Sequence, residues 1–207
     1  MWTLTKEQEM IQKTVRSWAA EHLAPVAEKH EHTKFFDVNL YKSFAQLGFP
    51  GVRYPEELGG GSGSILDMCL WVKELARILP GFAISASVAC GLGAKMLLFG
   101  TPEQQEKYLV PTIAGEMIGA LGLTEPNAGS DATNVQTKAI REGSEWVLNG
   151  AKTFITNGCI ADYILVTART DFQQKNAISI FIVPGKTPGL TARPIDKNCW
   201  YSSDTAL

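Results

Sequence analysis

The chain has 207 residues, with 19 Lys and Arg against 21 Asp and Glu for a net charge of −2, and it is 45% hydrophobic, 9% aromatic and 19% charged. Domains run to about 100–200 residues, so these residues hold one large or two small cores and not a large multidomain enzyme. No clustered surplus of Lys and Arg exists to neutralise phosphates, which argues against a nucleic-acid partner.

Helix punctuation dominates the first half. Thr5 and Gln8 have capping-box spacing, and Ile11, Val15, Trp18 and His22 recur at three to four residues, which predicts one helical face; Pro25 is expected to kink or end that helix. Asp37 opens a second helix with the stripe Leu40, Phe44 and Leu47, closed at Gly48 by a left-handed cap. Ser64 caps a third, whose Ile65, Cys69, Val72, Ala76 and Leu79 keep the period until Pro80-Gly81. Phe82 to Phe99 reads as a buried helix of small residues closed by Gly100. Thr101-Pro102-Glu103-Gln104 then supplies an N-cap, a first-turn proline and a capping partner for a fifth helix carrying Tyr108 and Leu109.

After about Glu116 the period changes from 3.6 to 2. Met117 to Thr124, Val135 to Ile140, Glu145 to Leu148, Tyr163 to Arg169 and Ala177 to Val183 read as strands, with Glu142-Gly143-Ser144 as a hairpin turn and Asn149-Gly150 and Asn157-Gly158 as further turns. Helices followed by strands predict an α+β chain: a helical bundle over 1–117, then an antiparallel, barrel-like β domain over 118–207 that is incomplete.

Several chemistries are excluded by spacing. Cys69, Cys90, Cys159 and Cys199 lie far apart with no Cys-x-x-Cys pair, and His22, His30 and His32 have no ligand cluster beside them, so no metal site is expected. Gly59-Gly60-Gly61-Ser62-Gly63 lacks the Gly-Lys-Ser/Thr ending of a phosphate loop, and no Gly-x-Ser-x-Gly elbow occurs. The uncharged stretch Phe82 to Ala94 is shorter than the ~20 residues of a membrane span, and no leader or transit pattern opens the chain, so a cytoplasmic location with reduced thiols is expected.

One segment stands apart: Leu121-Gly122-Leu123-Thr124-Glu125-Pro126-Asn127-Ala128-Gly129-Ser130-Asp131 leaves a strand at a proline and enters a loop of small residues, with Ser130 offering a hydroxyl. The residues alone leave a ligand loop and a plain turn open. The segment resembles the first signature of the acyl-CoA dehydrogenases, FAD-dependent enzymes that introduce a double bond between the α and β carbons of acyl-CoA thioesters. Asn149-Gly150-Ala151-Lys152-Thr153-Phe154-Ile155-Thr156-Asn157-Gly158 is similar to that family's second flavin-contacting strand. Tyr54-Pro55-Glu56-Glu57-Leu58-Gly59-Gly60, Gly100 to Leu109, and Ser202-Ser203-Asp204-Thr205 agree in order.

The resemblance implies a site. Leu121, Gly122 and Leu123 would offer backbone and Thr124 a hydroxyl to the pyrimidine edge of the flavin, whose polar atoms cannot be buried unpaired. Thr156 would stand near flavin N5, with Ile155 beside it, and Phe154 would cover a ring face where the family usually has Trp. Gly129 and Ser130 would approach the ligand, with Ser130 bonding the pantetheine part of CoA. Asn134 replaces a small residue, and Cys199 and Tyr201 stand where Gly and Arg are common, so Tyr201 receives no role. Glu125 and Asp131 read as structural partners of backbone or arginine. The implied reaction removes the α-proton by a carboxylate while the β-hydrogen leaves as hydride, with an electron-transfer flavoprotein as the expected acceptor; an acyl-CoA oxidase or flavin monooxygenase of the same superfamily, or a non-catalytic binding or assembly subunit, are the alternatives. That base belongs to a C-terminal helical domain, so no residue here is expected to be catalytic. The chain is expected to be an inactive N-terminal fragment of a homotetrameric enzyme.

Overall fold

A computed structural model describes residues 3–33, 36–174, 177–195 and 202–206, the last as backbone only. Asn198, Cys199, Trp200 and Tyr201 therefore lie outside the described residues. One compact unit ends at Met117 and a second begins at Ile118.

In the helical unit, α1 (Lys6–Trp18) starts at the reciprocal Thr5–Gln8 capping box, whose two bonds are each 3.2 Å. Pro25 neither ends nor sharply breaks the run. The helix widens into a π segment over Ala19–Leu23, tightens to 3₁₀ over Ala24–Val26, and resumes as α2 (Ala27–Thr33). The widened turn inserts one residue into the helical repeat and shifts the inward face, so Leu23 is buried and His22 is exposed.

The second helix, α3 (Val38–Ala45), is capped by Asp37, whose carboxylate accepts from the amides of Asn39 and Leu40. It closes at Gly48 with φ of 81°, the left-handed conformation expected there. The buried face is Tyr41, Phe44 and Ala45, and Leu47 is exposed.

On α4 (Ile65–Ala76) the expected stripe is also corrected. Leu70, Trp71 and Leu75 face inward while Ile65 and Cys69 are exposed, because the aromatic face of this doubly apolar helix joins Phe44 in the core. Glu74 on the same face is buried and takes both nitrogens of an Arg16 fork at 2.9 and 3.1 Å, which ties α1 to α4.

The run from Pro80 to Phe99 is 20 residues long, longer than the expected apolar stretch, and by length and composition could cross a membrane. It is a core helix: α5 (Pro80–Ser87), a π segment Val88–Leu92 and a 3₁₀ segment Ala94–Phe99 bury Phe82, Ala86, Ala89 and Leu97. The last helix combines α6 (Pro102–Gln104), a π segment Gln105–Leu109 and α7 (Val110–Ile113), opened by the expected Thr101–Gln104 capping box.

The second unit has eight strands: β1 (Gly119–Gly122), β2 (Lys138–Glu142), β3 (Glu145–Asn149), β4 (Ala151–Thr156), β5 (Tyr163–Arg169), β6 (Ile178–Pro184), β7 (Thr191–Pro194) and β8 (Ser202–Ala206). Periodicity marks five of them, with ends shifted by up to three residues; β4 enters only through the resemblance, and β7 and β8 are too polar and short to show. The α+β class stands. The strands form two open sheets, β1-β5-β2-β3 with β6 on β5, and β4-β8-β7. One expectation is corrected: β1 and β5 run parallel, Gly119 opposite Tyr163, in an otherwise largely antiparallel arrangement. A parallel pair needs a long crossover, and residues 123–162, which carry three strands, provide it. Six successive buried residues in β5, Tyr163 to Ala168, mark it as the central strand, covered on both faces. Ala120, Ile155, Ile164, Val166 and Val183 form the core around it.

Candidate functional site

The end of β1 and the strand β4 lie side by side. The Thr153 amide donates to the Thr124 carbonyl at 2.8 Å, and the Lys152 ammonium donates to the Leu123 carbonyl at 3.2 Å. Leu121, Leu123 and Thr124 are half-buried at this junction, as is Thr156 in β4. Gly122 is buried, and a Cβ on it would touch Ile164 and Lys152 at 3.4 Å, so its side faces the core and only its backbone is available to a ligand.

The chain then turns at once. Glu125 and Ala128 exchange backbone bonds of 2.9 and 3.1 Å, and Gly129 and Ser130 follow in the open. Asp131 caps the 3₁₀ turn Ala132–Asn134 by accepting from the Thr133 amide and hydroxyl at 3.2 and 2.6 Å.

A β-bulge decides which side chains of β4 face out. Pairing with β8 shifts register between Lys152 and Ile155, and Phe154 sits there at φ +59°, a left-handed conformation that costs a bulky residue about 1–2 kcal/mol. Simple alternation would send Lys152 and Phe154 to one face. With the extra residue, Lys152 and Ile155 both point inward at 1% and 2% exposure, and the Phe154 ring stands 58% exposed. Ile155 is therefore a core residue whose side chain is unavailable to a cofactor. Strained backbone of this kind collects at functional sites.

Beneath the junction lies a buried ionic cluster that the sequence reading missed. The Lys152 ammonium donates to Glu125 Oε1 at 2.7 Å and to the Thr167 hydroxyl at 3.1 Å. Glu125 also accepts from the Gln136 amide at 2.6 Å, the Thr137 amide at 3.0 Å and the Thr137 hydroxyl at 2.6 Å. The Thr167 hydroxyl returns a bond to the Gly122 carbonyl at 3.3 Å. Burial pushes the Glu125 carboxyl up, but the Lys152 ammonium, the Thr137 hydroxyl and the two amides outweigh it and hold the group below its ordinary value. Burial lowers Lys152, and the Glu125 carboxylate offsets this only in part. Glu125 is a structural partner of backbone, as expected, and its cation is Lys152 where an arginine is the other expectation.

Three hydroxyls of this assembly contrast with their engaged neighbours. Thr137, Thr167 and Thr133 are all engaged, whereas the side chains of Thr124, Ser130 and Thr156 bond to nothing among the described residues. Two strand ends thus present free hydroxyls and an exposed aromatic ring over a rigid, charge-neutral base. That donor set fits a planar heteroaromatic group with polar edges, which needs directed hydrogen bonds at its rim and apolar cover on its face.

A helical unit followed by a mixed-sheet unit with this exposed junction defines the class. The family model "Acyl-CoA dehydrogenase, N-terminal domain" matches residues 5–116 and "Acyl-CoA dehydrogenase, middle domain" matches 120–204. The chain belongs to the acyl-CoA dehydrogenase family. It is 44% identical over 207 residues to "Probable acyl-CoA dehydrogenase YngJ" of Bacillus subtilis, covering 98% of this chain and 54% of that protein. Butyryl-CoA dehydrogenase from Megasphaera elsdenii superposes with a TM-score of 0.93 at 36% identity, covering 100% of this chain and 56% of that one. A glutaryl-CoA dehydrogenase from Mycobacterium smegmatis in complex with FADH2 superposes at 0.91 with 33% identity, over 99% and 53%. The chain spans about half the length of the relatives it matches.

Proposed function

We propose that the chain is the flavin- and thioester-binding part of an FAD-dependent acyl-CoA dehydrogenase. The observation that carries this is the set of free hydroxyls, Thr124 and Thr156 on neighbouring chain segments and Ser130 in the loop that follows, together with the strained and exposed Phe154 on β4. In this reading the Leu121 and Leu123 backbone and the Thr124 hydroxyl pair the polar edge of the isoalloxazine, and Phe154 excludes water from one face. Thr156 orients the reacting edge, and Ser130 holds the pantetheine arm so that the acyl chain keeps its register. FAD, when bound, accepts the hydride equivalent that leaves the β-carbon.

The α-proton of a thioester is a weak acid, so its removal needs a positioned base and donors to the thioester carbonyl. Glu125 is bound to Lys152 and two backbone amides, and Asp131 caps a turn, so neither is free to take that proton. We assign the base to a carboxylate outside these 207 residues and the electron acceptor to a separate electron-transfer flavoprotein. The test uses protein that contains the chain in full. It should purify with flavin absorbance, and that absorbance should bleach on mixing with one of a panel of acyl-CoAs. Protein that neither retains added FAD nor bleaches with any acyl-CoA overturns the proposal.

A further inference from the structure

The helical unit carries a cavity unconnected in sequence to the junction just described. It is open, about 370 Å3 in volume, and bounded by the start of α4, the π segment Val88–Leu92 and the loop before α4. Small-molecule sites fall in the range of about 300–1,000 Å3. Ile65, Met68, Val88 and Leu92 give it apolar walls, and Ile65 and Leu92 are 57% and 60% exposed. Arg53, Lys95, Ser87 and Gly91 complete the lining.

The two half-buried cations, Arg53 and Lys95, differ from exposed Arg16 and buried Lys152. Arg16 has Glu74 and Lys152 has Glu125, but neither Arg53 nor Lys95 has a carboxylate within ion-pair distance among the described residues. The Lys95 ammonium donates to the Arg53 carbonyl at 3.2 Å and lies 5.4 Å over the Tyr54 ring, and Arg53 Nη1 reaches only the Met68 sulfur at 3.5 Å. Burial, and then the neighbouring Arg53 charge, lower the Lys95 pKa, which agrees with two like charges and no anion between them. Two cations beside an apolar wall form a complementary surface for an anion with a hydrocarbon body, since a guanidinium binds a carboxylate through paired, charge-assisted bonds.

We propose that this cavity binds a carboxylate carried on a short hydrocarbon chain, with Arg53 and Lys95 taking the carboxylate and Ile65, Met68, Val88 and Leu92 the chain. Two sources present that chemistry: a free carboxylic acid, or the far end of an acyl group that bears a second carboxylate. The second source rests on the acyl-CoA reading above; the first does not.

The experiment titrates the 207-residue chain, 13C-labelled at methionine methyls, with hexanoate, hexanamide, and the N-acetylcysteamine thioesters of hexanoic and adipic acids, following Met68 by NMR. Hexanoate or the adipoyl thioester should bind at least about tenfold more tightly than its uncharged counterpart, the discrimination expected of one charge-assisted pair. Tighter binding of the adipoyl thioester than of hexanoate assigns the acyl source, and the reverse order assigns the free acid. Arg53→Met should abolish the preference for charge and Arg53→Lys should keep part of it. Among the described residues the Arg53 side chain bonds only the Met68 sulfur, so neither change should alter the thermal melt. Leu92→Asp, at the exposed rim, should weaken every probe by the lost apolar wall and the charged probes further by repulsion. Equal binding of charged and neutral probes, a preference that survives Arg53→Met, or an unmoved Met68 signal overturns the proposal. No flavin or turnover enters the readout, so failure here leaves the dehydrogenase reading intact, and failure to bind flavin leaves this one.

Discussion

Lys152→Met removes the cation facing Glu125 while keeping most of the buried volume, and its cost can be worked from the cluster itself. At the 2.7 Å separation and an effective dielectric near 20, the gross attraction is about 6 kcal/mol. Desolvating the two ions costs several kcal/mol each, so the intact pair contributes little net stability. Removing one partner is different, because it strands the other charge, and such changes cost about 3–5 kcal/mol. The lower end applies here, since Glu125 would keep the Gln136 and Thr137 amides and the Thr137 hydroxyl. Glu125→Gln should cost a similar amount by leaving the Lys152 ammonium with two neutral acceptors. The double variant should recover at least about 2 kcal/mol of the summed loss, as expected for groups in direct contact. Urea unfolding gives the totals, and hydrogen exchange at the Thr153 amide, bonded to the Thr124 carbonyl, localises the effect to the second unit. A Lys152→Met protein within about 1 kcal/mol of the parent, or additive single changes, would refute the reasoning.

The same cluster sets a pH dependence. The folded-state pKa of Glu125 lies below its unfolded value, so its contribution is full above the unfolded value of about 4.3 and is lost as pH falls through the folded one. Acidification below about pH 5 should therefore destabilise the parent more than Glu125→Gln. Lys152 also holds the Leu123 carbonyl, so Lys152→Met should loosen flavin retention without touching the ligand, which marks it as a positioning residue.

The remaining predictions separate packing from binding. Gly150→Ala would place a Cβ 2.7 Å from the Thr137 Cα and should destabilise the second unit by about 2 kcal/mol or more, whereas Gly129→Ala meets nothing within 4 Å and should leave the melt unchanged. If Gly129 serves ligand approach, the second change should still weaken acyl-CoA binding, and unaltered binding removes the glycine from the site. At the bulge, Phe154→Gly should be at least as stable as Phe154→Ala, reversing the usual order in a strand, because the left-handed φ penalises any Cβ. A Gly variant weaker than Ala by about 1 kcal/mol in thermal unfolding would deny that strain. Cys90 is buried, which pushes its thiol up to about 12, so iodoacetamide at pH 8 should label exposed Cys69 and spare Cys90 on a peptide map.

The elements legible in the sequence are those governed by local chemistry. The capping boxes at Thr5 and Thr101 and the cap at Ser64 announce themselves because their partners are local, and all three form, the last as a full box with Asp67. The left-handed stop at Gly48 and the turn at Gly143, φ +63°, are equally local. What escapes is whatever shifts a repeat by one residue. The π segment at Ala19–Leu23 replaces His22 by Leu23 on the inward face, and the bulge in β4 exchanges Phe154 and Ile155 between core and surface. A period of 3.6 or 2 carries no signal for an inserted residue, since its cost is borne by contacts distant in sequence.

Lys152 escapes for a related reason. A lysine on a strand ordinarily reads as solvent-facing, and only the 27-residue reach to Glu125 makes its burial tolerable. The bulge and the ion pair belong together physically. The inserted residue turns Phe154 outward while Lys152 stays inward, so the exposed ring and the buried charge are two ends of one local distortion. Relieving the bulge should therefore move both at once, and a Phe154 variant that regularises β4 should weaken the Lys152–Glu125 pair.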